Sequence, residues 1–108
     1  MGVVVTVPGQ AEPWKVSNSA FQLLVAQAQS VTDDAEFMVQ AAALSGLHLD
    51  DQSLSERVRM ADVLAKAARR LRATLLSRNE PTEWDVSLAD YLPTLEMWME
   101  GLVEGQGE

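Results

Sequence analysis

Residues Ser53 to Asn79 read SLSERVRMADVLAKAARRLRATLLSRN, and this stretch decides the fold. Ser53 and Glu56 have the spacing of a capping box. The hydroxyl takes a first-turn N–H, and the carboxylate reaches back to the cap N–H. Asp50 and Asp51 lie just upstream, where negative charge suits the positive end of a helix dipole. From Leu54 to Leu76 there is no Gly and no Pro, and good helix formers dominate. Leu54, Val58, Ala61, Leu64, Ala65, Ala68, Leu71 and Leu75 recur in short steps and share one helical face. Met60, Val63 and Ala67 widen that face, which implies contact with more than one neighbour. The spacing predicts one long central helix with the rest of the chain packed around it.

The same stretch carries the positive charge of an acidic chain. Seven of the eight basic residues lie between Arg57 and Arg78, with one acid, Asp62, among them. Asp62 can pair with Lys66 and Arg59, and Glu56 with Arg59, at helical spacing. Arg69, Arg70 and Arg72 have no such acid within a turn. They must be solvated, paired with another element, or bound to an outside anion. They are the candidate anion or partner contacts.

The chain has 108 residues, a net charge of −8 and no cysteine. One helical domain spanning 1–108 is the expectation from length, large enough for a core without staples. Thiolate metal sites, disulfides and cysteine nucleophiles are excluded. Val3 to Val7 is apolar but lacks the basic start of a signal peptide. No apolar run is long enough for a membrane span. A cytoplasmic location, with no membrane and no nucleic acid as partner, follows as an expectation. The phosphate backbone demands a basic surface that this chain lacks. The excess of Arg over Lys and the many Ala hint at a bacterial source.

Upstream, Gly2 to Val7 is β-branched and reads as a strand. Pro8-Gly9 turns it, and Trp14 to Val16 returns, so residues 2–16 form a hairpin. Trp14 and alternate valines would anchor it on the helices. Helices then fill 19–104. The first begins at a Ser19–Gln22 capping box and runs to about residue 30. The second begins near Asp34 and buries Phe37, Met38, Ala41, Ala42, Leu44 and Ser45, with Gly46 as its terminating residue. Leu47 to Leu49 is a link or a third strand.

The last helix opens at Thr82 and Asp85, behind Pro81. Trp84, Leu88, Tyr91, Leu95, Trp98 and Leu102 alternate in steps of three and four, an a/d seam. Pro93 interrupts it without a change of phase, so a kink is expected rather than a loop. The glycines from Gly101 onward predict fraying, with a frayed tail at 105–108. Eight acids and no base follow Asn79. A short connection makes this acidic helix the antiparallel neighbour of the basic one. The fold class is therefore mainly α, a four-helix bundle-like domain with a short N-terminal β-hairpin. Its expected core is Phe21, Leu24, Phe37, Ala41, Leu44, Val58, Ala61, Leu64, Leu71, Leu75, Trp84, Leu88, Leu95 and Trp98.

Chemistry is sparse. His48, the single histidine, sits beside Asp50 and Asp51 without further converging ligands, so a loop histidine that caps the long helix is the plainer reading. Asp33, Asp34 and Glu36 read as caps. Pro8-Gly9-Gln10 lacks the phosphate-loop pattern, and no serine lies in a nucleophile elbow. Glu83, Asp85 and Asp90 read as solvated carboxylates. No cofactor and no catalytic residue is expected. Trp84, Tyr91 and Trp98 read as core. Val86, Met97, Glu96 and Glu100 form a candidate interface on the last helix, because exposed apolar surface marks partner sites. The function expected is a non-catalytic protein–protein interaction module of immunity, antitoxin or regulatory type, with a basic partner. The alternatives are an anion-binding domain using the three arginines, or a homodimer joined through the last helix.

Overall fold

The computed structural model describes residues 2–33, 35–44 and 46–104. They form a mainly helical structure with a small sheet at the N-terminus. The elements are β1 (Gly2–Thr6), β2 (Trp14–Ser17), α1 (Asn18–Val31), α2 (Glu36–Leu44), β3 (Gly46–His48), α3 (Leu54–Leu76) and α4 (Glu83–Glu104). A 3₁₀ turn, Leu49–Asp51, joins β3 to the approach of α3.

β1 is the central strand. β2 pairs with it antiparallel, setting Val3 against Val16 and Val5 against Trp14. Period-two alternation puts all four on one face, and all are buried. At Gly2 an added Cβ would stand 2.6 Å from the Val16 carbonyl oxygen, so only glycine lets the strands approach there. Gly9 turns the hairpin with φ at +86°, in the region glycine enters freely.

Leu47 and its neighbours are a strand, resolving the open reading of that segment. β3 lies parallel to β1, with Val5 opposite Leu47 and Thr6 opposite His48. A parallel pair needs a long crossover, here β2, α1 and α2. Gly46 therefore opens β3 and does not serve only to end α2. Asp34, Ser45 and the tail 105–108 lie outside the described residues. The last turn, Gly101 to Glu104, is helical despite its glycine.

The cap of α1 is Ser17, not Ser19. Its hydroxyl accepts the Ala20 N–H at 3.2 Å, because the helix follows β2 directly and Ser19 is already inside it. Ser53 caps α3 as read, accepting the Glu56 N–H at 3.4 Å. The Glu56 carboxylate turns away to Arg59, at 2.6 Å. Thr82 and Asp85 form the full reciprocal box at the start of α4: each backbone N–H is taken by the other's side chain, at 3.0 and 3.1 Å.

α3 is the centre of the helical part, with α4 on one side and α1 on another. Its broad apolar arc is buried from Val58 to Leu75, including Met60, Val63 and Ala67. Leu54, counted on that arc from sequence, is exposed in the first turn. Leu44, expected in the core, is 80% exposed because α2 turns Met38 and Ala41 inward and ends there. Phe37 is half-buried, with the Arg59 guanidinium 5.6 Å from its ring centroid.

α4 runs unbroken through Pro93, and its buried stripe differs from the expected seam. Asp85, Leu88, Ala89, Leu92, Leu95, Glu96 and Met99 face inward. Leu88 and Leu95 belong to both readings. Trp84 is 44% exposed and Tyr91 38%, while Trp98 is half-buried against the core. The helix is rotated so that two acids replace the aromatics, and arginines of α3 and the turn after it make that rotation tolerable.

Candidate functional site

Two arginines of α3, and Arg78 just past its end, are held by α4. Arg69 reaches Glu100 at 2.5 Å and Glu96 at 3.5 Å. Arg72 stands 3.3 Å from Glu96. Arg78 meets Asp85 at 2.6 Å. Residue number rises along one helix as it falls along the other, so the pairs lie along an antiparallel seam. The long flexible side chains on α3 extend across it to shorter acids. Glu96 is 6% exposed, and the Arg72 approach to its Oε2 is ionic, without hydrogen-bond alignment. Two guanidinium groups around one buried carboxylate supply the charge its desolvation requires.

The Asp85 carboxyl is held below the usual carboxylate range. The backbone N–H of Thr82 is the chief cause, and the hydrogen bond and charge of Arg78 add to it against the opposing effect of burial. Asp85 is thus a buried structural anion, not the solvated carboxylate its neighbours suggested. Glu96 likewise is unavailable as an interface residue, and Glu100 is engaged with Arg69. Val86 and Met97 are exposed, as that interface reading requires. Among the expected anion contacts, Arg69 and Arg72 are occupied by carboxylates. Arg70 is exposed and makes no ion pair among the described residues.

Elsewhere the bases are also engaged. Lys66 pairs with Asp62 at 2.9 Å. Arg57 folds back onto the 3₁₀ turn, donating to the carbonyls of Leu49 at 3.0 Å and Gln52 at 3.2 Å. Nothing in the spacing of Arg57 signals that role, since its acceptors are backbone atoms of another element. Among the described residues only Lys15 and Arg70 remain as cations without a carboxylate or carbonyl partner. Glu12, Asp33, Glu36, Asp50, Asp51, Glu80, Glu83, Asp90 and Glu104 make no ion pair among the described residues.

His48 lies in β3 rather than in a loop, and Ser53 takes the cap of α3. Its Nδ1 and the Thr6 hydroxyl, cross-strand neighbours, are 3.1 Å apart.

The opposite flank of α4 lies along the outer edge of β2. Tyr91 stacks on Trp14 with centroids 5.0 Å apart and planes 14° apart. Its hydroxyl accepts the Lys15 N–H at 3.2 Å, satisfying a donor on the sheet edge. A cleft opens on each side of Tyr91. One, of about 350 Å³, is lined by Lys15, Val16, Ser17, Ala20, Trp84, Ser87, Leu88 and Tyr91. The other, of about 420 Å³, is lined by residues 10–14 with Tyr91, Thr94 and Trp98. Sequence reasoning placed these aromatics in the core. The signal for the cleft was the pair Asp85 and Glu96, whose burial turns the aromatics aside.

No helix among the described residues is long and apolar enough to cross a membrane. No family model matches the chain, and no curated protein or solved structure matches it.

Proposed function

We propose that this chain is a non-catalytic protein–protein interaction module of immunity, antitoxin or regulatory type, working in the cytoplasm on a basic partner. The supporting observation is the division of charge. Most arginines are engaged internally, while exposed carboxylates such as Glu12, Glu36, Glu83 and Asp90 make no ion pair among the described residues. An anionic surface of this kind attracts cationic proteins over a screening length and speeds their encounter. The frame is bundle-like, with α3 between α1 and α4, and it gives that surface a rigid support.

The anion-binding reading is weakened by the geometry, since Glu96 and Glu100 already occupy the positive ends of Arg69 and Arg72. The homodimer reading is weakened by self-repulsion. A second copy brings the same carboxylates and, among the described residues, only Lys15 and Arg70 as unpartnered cations.

The test is capture from cell extract on the immobilised chain, washed at low and at high salt, with bound proteins identified by mass spectrometry. A specific partner with a basic contact surface, released by salt, is the expected result. Failure to find any salt-sensitive partner would sink the reading.

A further inference from the structure

We infer that the two clefts flanking Tyr91 are the docking site for an extended segment of that basic partner. An arginine or lysine enters the cleft of Glu12 and Trp98, and an apolar side chain enters the cleft of Trp84 and Leu88. The inference rests on the reading of a basic partner and names where and how that partner is held.

The two clefts differ in the chemistry they accept. Among the described residues, Glu12 is the one charged residue lining the first, and it is exposed without an ion pair. Tyr91 and Trp98 bring aromatic rings to the same cleft, and Trp14 is buried beneath Tyr91. Aromatic faces beside a free carboxylate attract a guanidinium or ammonium group and repel an anion. The second cleft has Lys15 as its charged residue, which opposes a cation. Its Trp84, Leu88, Val16 and Ala20 suit an apolar side chain instead.

Spacing points to a short linear segment. On α4 the first cleft is lined around Thr94 and Trp98, and the second around Trp84 to Leu88. At the helical rise of 1.5 Å per residue their centres lie about 15 Å apart along the axis. An extended strand-like chain brings residues four apart onto one side at about 13 Å. The ring of Tyr91 forms the ridge between them, fixed from below by Trp14 and at its hydroxyl by Lys15. That fixation matters, because a preorganised ridge needs little ordering when a ligand binds. A second copy of this chain is a poor occupant. Its unpartnered cations among the described residues are Lys15, within the site itself, and Arg70, on a regular helix.

The test is an arrayed library of synthetic octapeptides probed with the full chain, followed by fluorescence anisotropy on the selected peptides. Selection of arginine or lysine four residues from a large apolar side chain supports the site. Glu12→Gln should then weaken binding about five- to tenfold, the worth of one partly desolvated cation contact. Thr94→Arg, which places a cation in the first cleft, should abolish it, while Asp51→Asn on the remote 3₁₀ turn leaves affinity unchanged. Circular dichroism checks that each variant is folded. Equal weakening by Glu12→Gln and Asp51→Asn overturns the site but leaves a diffuse basic partner standing. Selection of acidic peptides overturns both readings. A library with no binders overturns the site alone, and the capture experiment then decides the broader reading independently.

Discussion

One flank of α4 faces α3 and the other faces β2, and the two handle charge in opposite ways. Toward α3, Asp85, Glu96 and Glu100 are matched by Arg78, Arg72 and Arg69. Toward β2, Trp84, Tyr91 and Trp98 lie over a strand edge, and the nearby Glu12 makes no ion pair among the described residues. The first flank consumes its charges to position a helix. The second keeps a charge exposed beside aromatic surface. A single helix can do both because its residues advance by about 100° each, so seam and groove are set by rotation alone. Burying two acids on the α3 side displaces the aromatics toward the sheet. Charge pairing in one place therefore creates exposed aromatic surface in another.

The largest expected effect comes from removing the base of the groove. Trp14→Ala deletes a ring that is 1% exposed and stacked under Tyr91, and should cost about 3–5 kcal/mol in urea unfolding. Trp14→Phe should cost far less than the lost ring area suggests. The indole Nε1 is buried without a hydrogen-bond partner among the described residues, and its removal relieves an unmet donor. A loss for Phe as large as for Ala would show that the indole is held by more than packing.

The seam comes next. Glu96→Ala removes a buried carboxylate between two half-exposed guanidinium groups, and should cost about 1–2 kcal/mol after allowance for solvent screening. Glu100→Gln touches an exposed pair and should cost about 0.2–1 kcal/mol. Chemical unfolding of both variants at low and high salt checks the order. If Glu100 proves the costlier, the inner position of Glu96 is not what orders the seam.

The smallest effect is on the acid limb of the stability curve. The folded Asp85 carboxyl is held below its unfolded range, chiefly by the Thr82 N–H and then by Arg78. A group depressed on folding contributes stability that is complete above the unfolded pKa. That stability is lost as pH falls through the lower, folded pKa. Asp85→Asn should therefore be less stable than the wild type near neutral pH, with the gap closing in the acid range. A gap independent of pH would assign the role of Asp85 to capping geometry and not to its charge.

The particular residues show why part of this arrangement was readable in advance. Ser53, Thr82 and Asp85 act through neighbours three positions away, so their caps are local and visible in spacing. The hairpin of 2–16 declares itself through β-branched residues and Pro8-Gly9. The parallel strand at Gly46 does not, because its partner is β1, more than forty positions earlier, and three residues have no periodicity of their own. Trp84 and Tyr91 were placed in the core because large aromatics at helical spacing are usually core, which passes over any acid beside them. That ranking fails where an acid meets a cation from another element.

The amino-acid sequence by itself determined the helical class, the long basic centre, the caps and the pairing of a cationic helix with an anionic one. All follow from interactions within a few residues or from net charge, which need no coordinates. Only the tertiary structure decided the rotation of α4, the engagement of Arg69 and Arg72, and the clefts beside Tyr91. Those depend on which carboxylates are neutralised after desolvation, and that balance is struck between side chains brought together by packing across elements.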